Sequence, residues 1–149
     1  MYKRQKSILI DFTAVIVVTF VAVFAMINFK DWVNRSEAMR AMNHLGKIVI
    51  EYRKNQGAIP PESYVEKIVE TLPGQARLGD MHYRGRWISF DSPDDAILAY
   101  TEKNYHSLLL DPGFVVLRRN GQAEWMQKQK FEKLLAKQQS LLEIQMMKD

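Results

Sequence analysis

A single apolar run, from Ile8 to Phe29, dominates this sequence, and it continues without a break into an amphipathic pattern. A helix of this length reaches about 33 Å at about 1.5 Å per residue, which is enough to cross a bilayer core of about 30 Å. The run holds one charge, Asp11, and neither Gly nor Pro occurs before Gly46. The sequence therefore predicts one helix that spans a membrane over residues 8–29 and extends beyond it as a stalk.

Basic residues cluster on the N-terminal side of this run. Lys3, Arg4 and Lys6 precede it, whereas the basic residues that follow it are offset by neighbouring acids. The positive-inside rule therefore predicts a single-pass protein with residues 1–7 in the cytoplasm and the head outside. Phe29 and Trp32, at the far end of the run, are typical of the aromatic belt at the lipid–water interface.

The same N-terminus allows a second interpretation, a cleaved secretory signal. The basic start, the apolar middle and the sequence Val23-Phe24-Ala25 suit such a signal, and cleavage after Ala25 would release a soluble domain. Apolar residues continue through Met26, Ile27 and Phe29, however, and a helical pattern follows. A retained anchor is therefore the favoured interpretation.

Composition narrows the functions that the rest of the chain can have. The basic residues before the run, together with Asp11, supply half of the formal charge of +4, so the remainder is nearly neutral, unlike a nucleic-acid-binding domain. Cysteine is absent, which removes thiol and Cys–zinc chemistry. His44, His82 and His106 are scattered and do not have metal-ligand spacing. We expect neither enzymatic activity nor a cofactor.

After the run, apolar residues recur at steps of four and three, which mark one face of an α-helix. They are Ala38, Met42, Leu45, Val49 and Tyr52. Gly57 and the pair Pro60-Pro61 end this helix, and a second, short helix is predicted over residues 61–72. We call residues 30–57 the stalk and expect its apolar face to pack on a head formed by residues 58–126.

Beyond a predicted loop at residues 75–80, the apolar period changes to two, which is typical of strands. Strands are predicted at residues 83–90, 96–100, 114–118 and 123–125, with an acidic turn at residues 91–95. Asn120-Gly121 lies between the last two strands, and this pair is favoured in two-residue hairpin turns in which both residues take a positive φ. The head should therefore contain a small antiparallel sheet.

Residues 127–149 are predicted to form a C-terminal amphipathic helix. Its apolar positions are Phe131, Leu134, Leu135, Leu141, Leu142 and Met146. Such a helix is longer than a small sheet can cover, so its far end should be exposed, frayed or docked on another chain. The whole chain is thus predicted to be α+β, with a long N-terminal membrane-plus-stalk helix packed on a small antiparallel sheet and followed by a C-terminal helix.

This layout resembles that of the type IV pilins and type II secretion pseudopilins. The segment Leu9-Ile10-Asp11-Phe12 is similar to the Leu-Ile-Glu-Leu segment of the prepilin N-terminus, with Asp11 where that family keeps a Glu. Residues 52–60 resemble the end of a pseudopilin stalk, a Tyr followed by Gly and then Pro. Residues 97–125 resemble the C-terminal hairpin of pilin-like proteins, with Asn120 and Gln122 in place of its Asp and His.

The resemblance implies a role for Asp11 in assembly. In pilins the equivalent Glu pairs with the amine that prepilin peptidase frees by cutting between a Gly and a Phe. Those two positions here hold Lys6 and Ser7, so we expect the N-terminus to be retained and Lys6 or Arg4 to take the place of the amine. The alternative is that Asp11 lies one turn inside the membrane interface and reaches headgroup water.

Three further groups of residues have a structural and a functional interpretation. Asp91, Asp94 and Asp95 form a weak calcium candidate, but an Asx-type turn is the simpler account. The aromatic residues of the head are expected to pack in the sheet's core against the stalk, with stacking on a ligand as the alternative; these are Trp87, Trp125, Phe90, Phe114 and Tyr100. The arginines of the head are expected on a solvated sheet face, and the alternative is a positive strip across neighbouring strands; these are Arg84, Arg86, Arg118 and Arg119.

The resemblance implies a pseudopilin or minor pilin of a type II secretion or type IV pilus-like assembly, anchored in the inner (cytoplasmic) membrane. Its partners would be membrane lipid and other pilin-like or secretion-system subunits, and it would act through protein–protein contacts. The alternative is a single-pass, membrane-anchored binding or regulatory domain that recognises an extracytoplasmic ligand.

Overall fold

The computed structural model describes residues 2–105, 107 and 109–147; His106 and the side chain of Lys3 lie outside this part. One helix, α1 (Tyr2–Gln56), makes up the first third of the chain and has no interruption. Residues 4–27 are exposed all round, whereas the second half of α1 buries one face. Among the described residues, α1 is the one helix that is long and apolar enough to cross a membrane.

The stalk buries the apolar stripe that its sequence predicts. Ala38, Met42, Leu45 and Val49 have almost no exposed surface and form one wall of the main core. At Gly46, α1 approaches the backbone of Gly121 so closely that a β-carbon on Gly46 would overlap its carbonyl oxygen. The helix ends at Gln56, where Gly57 takes a φ of 65°. The helix α2 (Glu62–Val69) follows, and Val65 buries its side chain in the same core.

Four strands form one antiparallel sheet in the order β1-β2-β3-β4. The strands are β1 (Met81–Tyr83), β2 (Ile97–Lys103), β3 (Gly113–Arg118) and β4 (Ala123–Gln127). One face of the sheet packs on the stalk through Leu98, Val115 and Leu117. The other face packs on the helix α3 (Lys128–Gln138) through Tyr100 and Phe114. The sheet therefore lies between two helices, and the predicted fold class is confirmed.

The strand predicted at residues 83–90 is wrong beyond Tyr83. The Arg84 N–H still donates to the Leu98 carbonyl at 2.7 Å, but the Trp87 N–H then donates to the Arg84 carbonyl at 2.8 Å and closes a turn. The alternation in the sequence suggested a half-exposed strand, whereas the Arg84 side chain is buried. The predicted loop at residues 75–80 likewise contains a short 3-10 turn, Gln75–Arg77.

The hairpin between β3 and β4 is confirmed, but its turn type differs from the prediction. Only Gly121 takes a positive φ, of 82°, and Asn120 does not. The Arg118 N–H donates to the Gln122 carbonyl, and the Gly121 N–H donates to the Arg118 carbonyl, both at 2.9 Å. The turn therefore contains three residues, with glycine at the left-handed position. Three-residue hairpin loops of this kind are among the most common after two-residue loops.

The predicted C-terminal helix is two helices. The first, α3, ends at Gln138, and Ser140 begins α4 (Leu141–Met146) by accepting a hydrogen bond from the Glu143 N–H at 3.2 Å. The break at Gln139 turns α4 back against the head. This allows Glu143, the one described α4 residue with a buried side chain, to enter the interior.

The aromatic residues do not form one cluster against the stalk. Trp125 packs on the stalk side of the sheet, whereas Tyr100 and Phe114 face α3. There, the Phe131 ring stacks on Phe114 with the centroids 3.9 Å apart. Phe90 is exposed. Successive residues of a strand point to opposite faces of the sheet. Aromatic side chains can be buried on the face away from the stalk because α3 covers that face.

Candidate functional site: the anchor, its exit point and the end of the head

Three polar side chains of the anchor segment, residues 8–29, donate hydrogen bonds to carbonyls of the same helix, whereas the side-chain oxygen of Asn28 is buried without a partner among the described residues. The hydroxyls of Thr13 and Thr19 donate to the carbonyls four residues before them, each at 2.8 Å, and the Asn28 amide donates to the Phe24 carbonyl at 2.7 Å. This is the arrangement by which such residues are tolerated in hydrocarbon, where water cannot supply a partner. The surface of the segment is otherwise apolar and exposed.

Asp11 is the exception in this segment. Its side chain is exposed, and no described residue forms a hydrogen bond or ion pair with it. Residues three and four positions away on a helix are the neighbours within reach, and those of Asp11 are Ile8, Ser7, Ala14 and Val15. Arg4 and Lys6 are seven and five positions away. The helix itself therefore offers Asp11 no favourably spaced cation.

At the end of the anchor segment, α1 presents two different sides. Phe29 and Trp32 lie next to each other on an exposed side, with ring centroids 6.1 Å apart. Asp31 points to the other side, where its carboxylate is buried and accepts a hydrogen bond from the Ser107 N–H at 2.9 Å. The connection between β2 and β3 is thereby fixed to α1 two residues beyond the anchor segment.

The same end of the head contains a packed group of aromatic and cationic side chains. The Arg35 guanidinium lies over the Trp125 ring at 4.2 Å, and the Tyr105 ring lies 5.6 Å from the Trp125 ring. Burial raises the pKa of the Tyr105 hydroxyl to about 12, and the Arg35 charge opposes this shift. Sequence reasoning missed this group, because residues 35, 105 and 125 belong to three separate elements.

The opposite end of the head is fixed to the stalk by hydrogen bonds. Arg53 donates to the Arg119 carbonyl at 2.9 Å, and the Arg119 side chain pairs with Asp94 at 2.6 Å. Burial and the nearby Arg119 charge lower the pKa of Arg53. The described residues contain no group of three His, Cys, Asp or Glu side chains placed to hold a metal ion, and Asp91, Asp94 and Asp95 are not brought together into such a group.

The prediction of a solvated arginine face is wrong for Arg84. Its side chain is 1% exposed and forms a two-pronged ion pair with Glu143, with Nε to Oε1 at 2.6 Å and Nη2 to Oε2 at 2.9 Å. Its third donor, Nη1, reaches the Ile97 carbonyl at 2.7 Å. Arg118 pairs with Glu124, and Arg86 is exposed.

The ion pair holds α4 so that the apolar side of this helix faces outward. Leu141 is 82% exposed and Leu142 is 62% exposed, and Met146 and Met147 are also exposed. The sequence analysis predicted that the far end of the C-terminal segment would be exposed or docked, and within this chain it is exposed. Sequence reasoning missed this ion pair, because Arg84 and Glu143 each fit the polar side of a local pattern.

No protein-family model, curated protein or solved structure matches this chain. The layout of the elements and the chemistry of the surfaces described above are therefore the basis for its function.

Proposed function

We propose that this chain is a membrane-anchored, pilin-like subunit, a pseudopilin or minor pilin of a type II secretion or type IV pilus-like assembly, and that it acts through protein–protein contacts. The continuity of α1 is the observation that supports this proposal. One helix carries the apolar anchor segment and also supplies one wall of the core of the head. Because no turn separates the two parts, lateral packing of the anchor segments would also fix the spacing and orientation of the heads.

Asp11 is the residue proposed to set the register of this packing. An ionised carboxylate costs roughly 2.5–3.5 kcal/mol at the centre of a span. Asp11 lies about one turn inside the end of the span, where the cost is smaller, and a cation on a neighbouring helix would offset it. Its own helix offers no cation three or four positions away. Arg4 or Lys6 of an adjacent subunit, displaced along the helix axis, is the proposed partner.

The packing face can be tested directly because the chain contains no cysteine. Val15, Val18 and Ala22 follow Asp11 at steps of four, three and four, which places them on its face of the helix. A single cysteine introduced as Val18→Cys should therefore form disulfide-linked species with neighbouring subunits in native membranes. The control, Phe20→Cys, lies about 200° around the helix from Val18 and should not.

The role of Asp11 is tested in the same background. Asp11→Ala should abolish the crosslink at position 18, whereas Asp11→Glu, which keeps the charge, should preserve it. Thr13→Ala is a matched control, since it removes a polar group that is satisfied within the helix. Equal crosslinking at positions 18 and 20, or a crosslink indifferent to Asp11→Ala, would contradict the proposal.

The state of the N-terminus is tested by the intact mass of the protein extracted from membranes. We expect the full-length mass, because Lys6 and Ser7 do not form a prepilin peptidase site. Loss of the first six residues would mean that the site is processed despite this change. A mature chain beginning at Met26 would contradict the anchor itself.

The exposed apolar side of α4 favours a second candidate function, a membrane-anchored binding or regulatory domain. In that case the head would bind its ligand through Leu141 and Leu142, and membrane contacts would serve only as a tether. Leu142→Ser should then abolish co-purification of the partner, while Asp11→Ala should leave it unchanged. The pilin-like function predicts a dependence on Asp11.

A further inference from the structure

The connection between β2 and β3 carries an apolar side chain at the level where α1 leaves the anchor segment. Leu109 is 70% exposed, and it belongs to the connection that Ser107 fixes to Asp31. Isolated exposed leucines are common on protein surfaces and need no explanation. Leu109 is of interest because of its position along the axis of α1, close to the end of the anchor segment.

The position of Leu109 along the axis of α1 follows from two hydrogen bonds made by Ser107. Asp31 is two residues beyond Phe29, or about 3 Å along the helix axis, and the interfacial layer on each side of a bilayer core is about 5–7 Å thick. The Ser107 N–H lies 2.9 Å from the Asp31 carboxylate. The Leu109 N–H in turn lies 3.3 Å from the Ser107 hydroxyl, so the chain folds back on this point. The backbone of Leu109 is therefore held near Asp31, close to the point where α1 leaves the anchor segment.

Apolar groups thus flank α1 on two sides at one level. Trp32 lies about 100° around the helix from Asp31, the residue that holds the connection. The aromatic pair Phe29 and Trp32 occupies the exposed side, and Leu109 lies with the connection on the other side. The connection is also supported from within the head, where Tyr105 packs on Trp125.

We infer that this end of the head is a second membrane-binding surface, in which Leu109 inserts into the outer boundary between headgroups and acyl chains beside the helix. The inference rests on the proposed membrane anchor. A lipid surface is the occupant because the connection is bound to the helix at its exit from the anchor segment. Two points of contact would restrict rotation of the stalk about its own axis and hold the head at a fixed height.

The test uses the full chain in phosphatidylcholine vesicles, with a bimane probe on single cysteines. Leu109→Cys is the test position. Glu51→Cys is an exposed control on α1, about 30 Å beyond Asp31 along the helix axis, and Val18→Cys is the control inside the anchor segment. Nitroxide lipids labelled near the headgroup report contact with the interface, and iodide reports contact with water. We expect the probe at position 109 to shift to shorter wavelength, to lose most of its quenching by iodide, and to be quenched by the nitroxide lipid.

The outcomes separate the two proposals. If the probe at position 109 is quenched by iodide as strongly as the probe at position 51, while position 18 is lipid-quenched, the anchor holds and the membrane-binding surface is refuted. Protection at position 109 from both quenchers would mean that a protein covers it, which also refutes the inference. Quenching of position 18 by iodide would refute the anchor, and this inference would fail with it.

Discussion

Replacing Glu143 with alanine should release α4 from the head. The Glu143 carboxylate receives two donors of the Arg84 guanidinium, and both side chains are 1% exposed. Glu143 is the one described α4 residue that is buried, while Leu141 and Leu142 face solvent. The ion pair is therefore the main attachment of this helix. The adjoining helix α3 has its own attachments, since Gln138 accepts a hydrogen bond from the Ile97 N–H at 2.8 Å.

The expected loss of stability depends on whether the Arg84 charge stays buried after the substitution. Removing one partner of a buried ion pair costs about 3–5 kcal/mol when the other charge stays buried. Here α4 has little else to hold it, so it can leave and let water reach Arg84. We therefore expect Glu143→Ala to lower the free energy of unfolding by about 3 kcal/mol, the lower end of that range. Arg84→Met combined with Glu143→Leu should cost much less, because no charge then remains to be buried.

Urea unfolding of the full chain in detergent micelles, followed by tryptophan fluorescence, measures this cost. Glu132→Ala is the matched control, since Glu132 is exposed on α3. Limited digestion with trypsin provides a second measurement, because release of α4 should let the end of α3 fray and so speed cleavage after Lys137, which is exposed on the last turn of α3. If Glu143→Ala and Glu132→Ala differ by less than about 0.5 kcal/mol, the range of an ordinary surface substitution, the ion pair does not hold α4.

Two further predictions concern the stalk and the aromatic end of the head. Gly46→Ala should lower the free energy of unfolding by about 1–3 kcal/mol in the same urea assay, because the added methyl group would overlap the Gly121 carbonyl. The control, His44→Ala on the exposed side of the stalk, should change this free energy by no more than about 0.5 kcal/mol. Stability should also fall as the pH rises from 10 to about 12, because burial raises the pKa of Tyr83, Tyr100 and Tyr105, so the folded protein holds these protons more tightly than the unfolded chain does. Tyr105→Phe should remove part of this fall and leave the part due to Tyr83 and Tyr100; an unchanged slope in Tyr105→Phe would contradict the assignment.

The elements whose signals are local could be predicted from the sequence. The spacing from Ala38 to Val49 predicts the buried face of the stalk, and each of these residues is buried. Gly57 and Pro60-Pro61 predict the end of α1, and the Asn120-Gly121 pair predicts the hairpin. Helix period, helix termini and hairpin turns depend on residues a few positions apart, so one stretch of sequence contains the whole signal.

The end of β1 and the break in the C-terminal helix could not be predicted in this way. In the sequence, Arg84 fits the polar side of an alternating strand, and Glu143 fits a polar position of an amphipathic helix. They are instead partners in the interior, although they are 59 residues apart in the chain. Nothing in either local pattern identifies the other residue.

The sequence alone thus determined that a long apolar helix leads into a stalk and a small α+β head, because hydrophobic periodicity and chain-breaking residues act within a few residues. Only the tertiary structure decided which side of the sheet each aromatic ring occupies, which carboxylate neutralises Arg84, and that the connection carrying Leu109 is bound to Asp31. Those choices depend on contacts between distant segments, and each requires the surrounding elements to be in place before the two partners can meet.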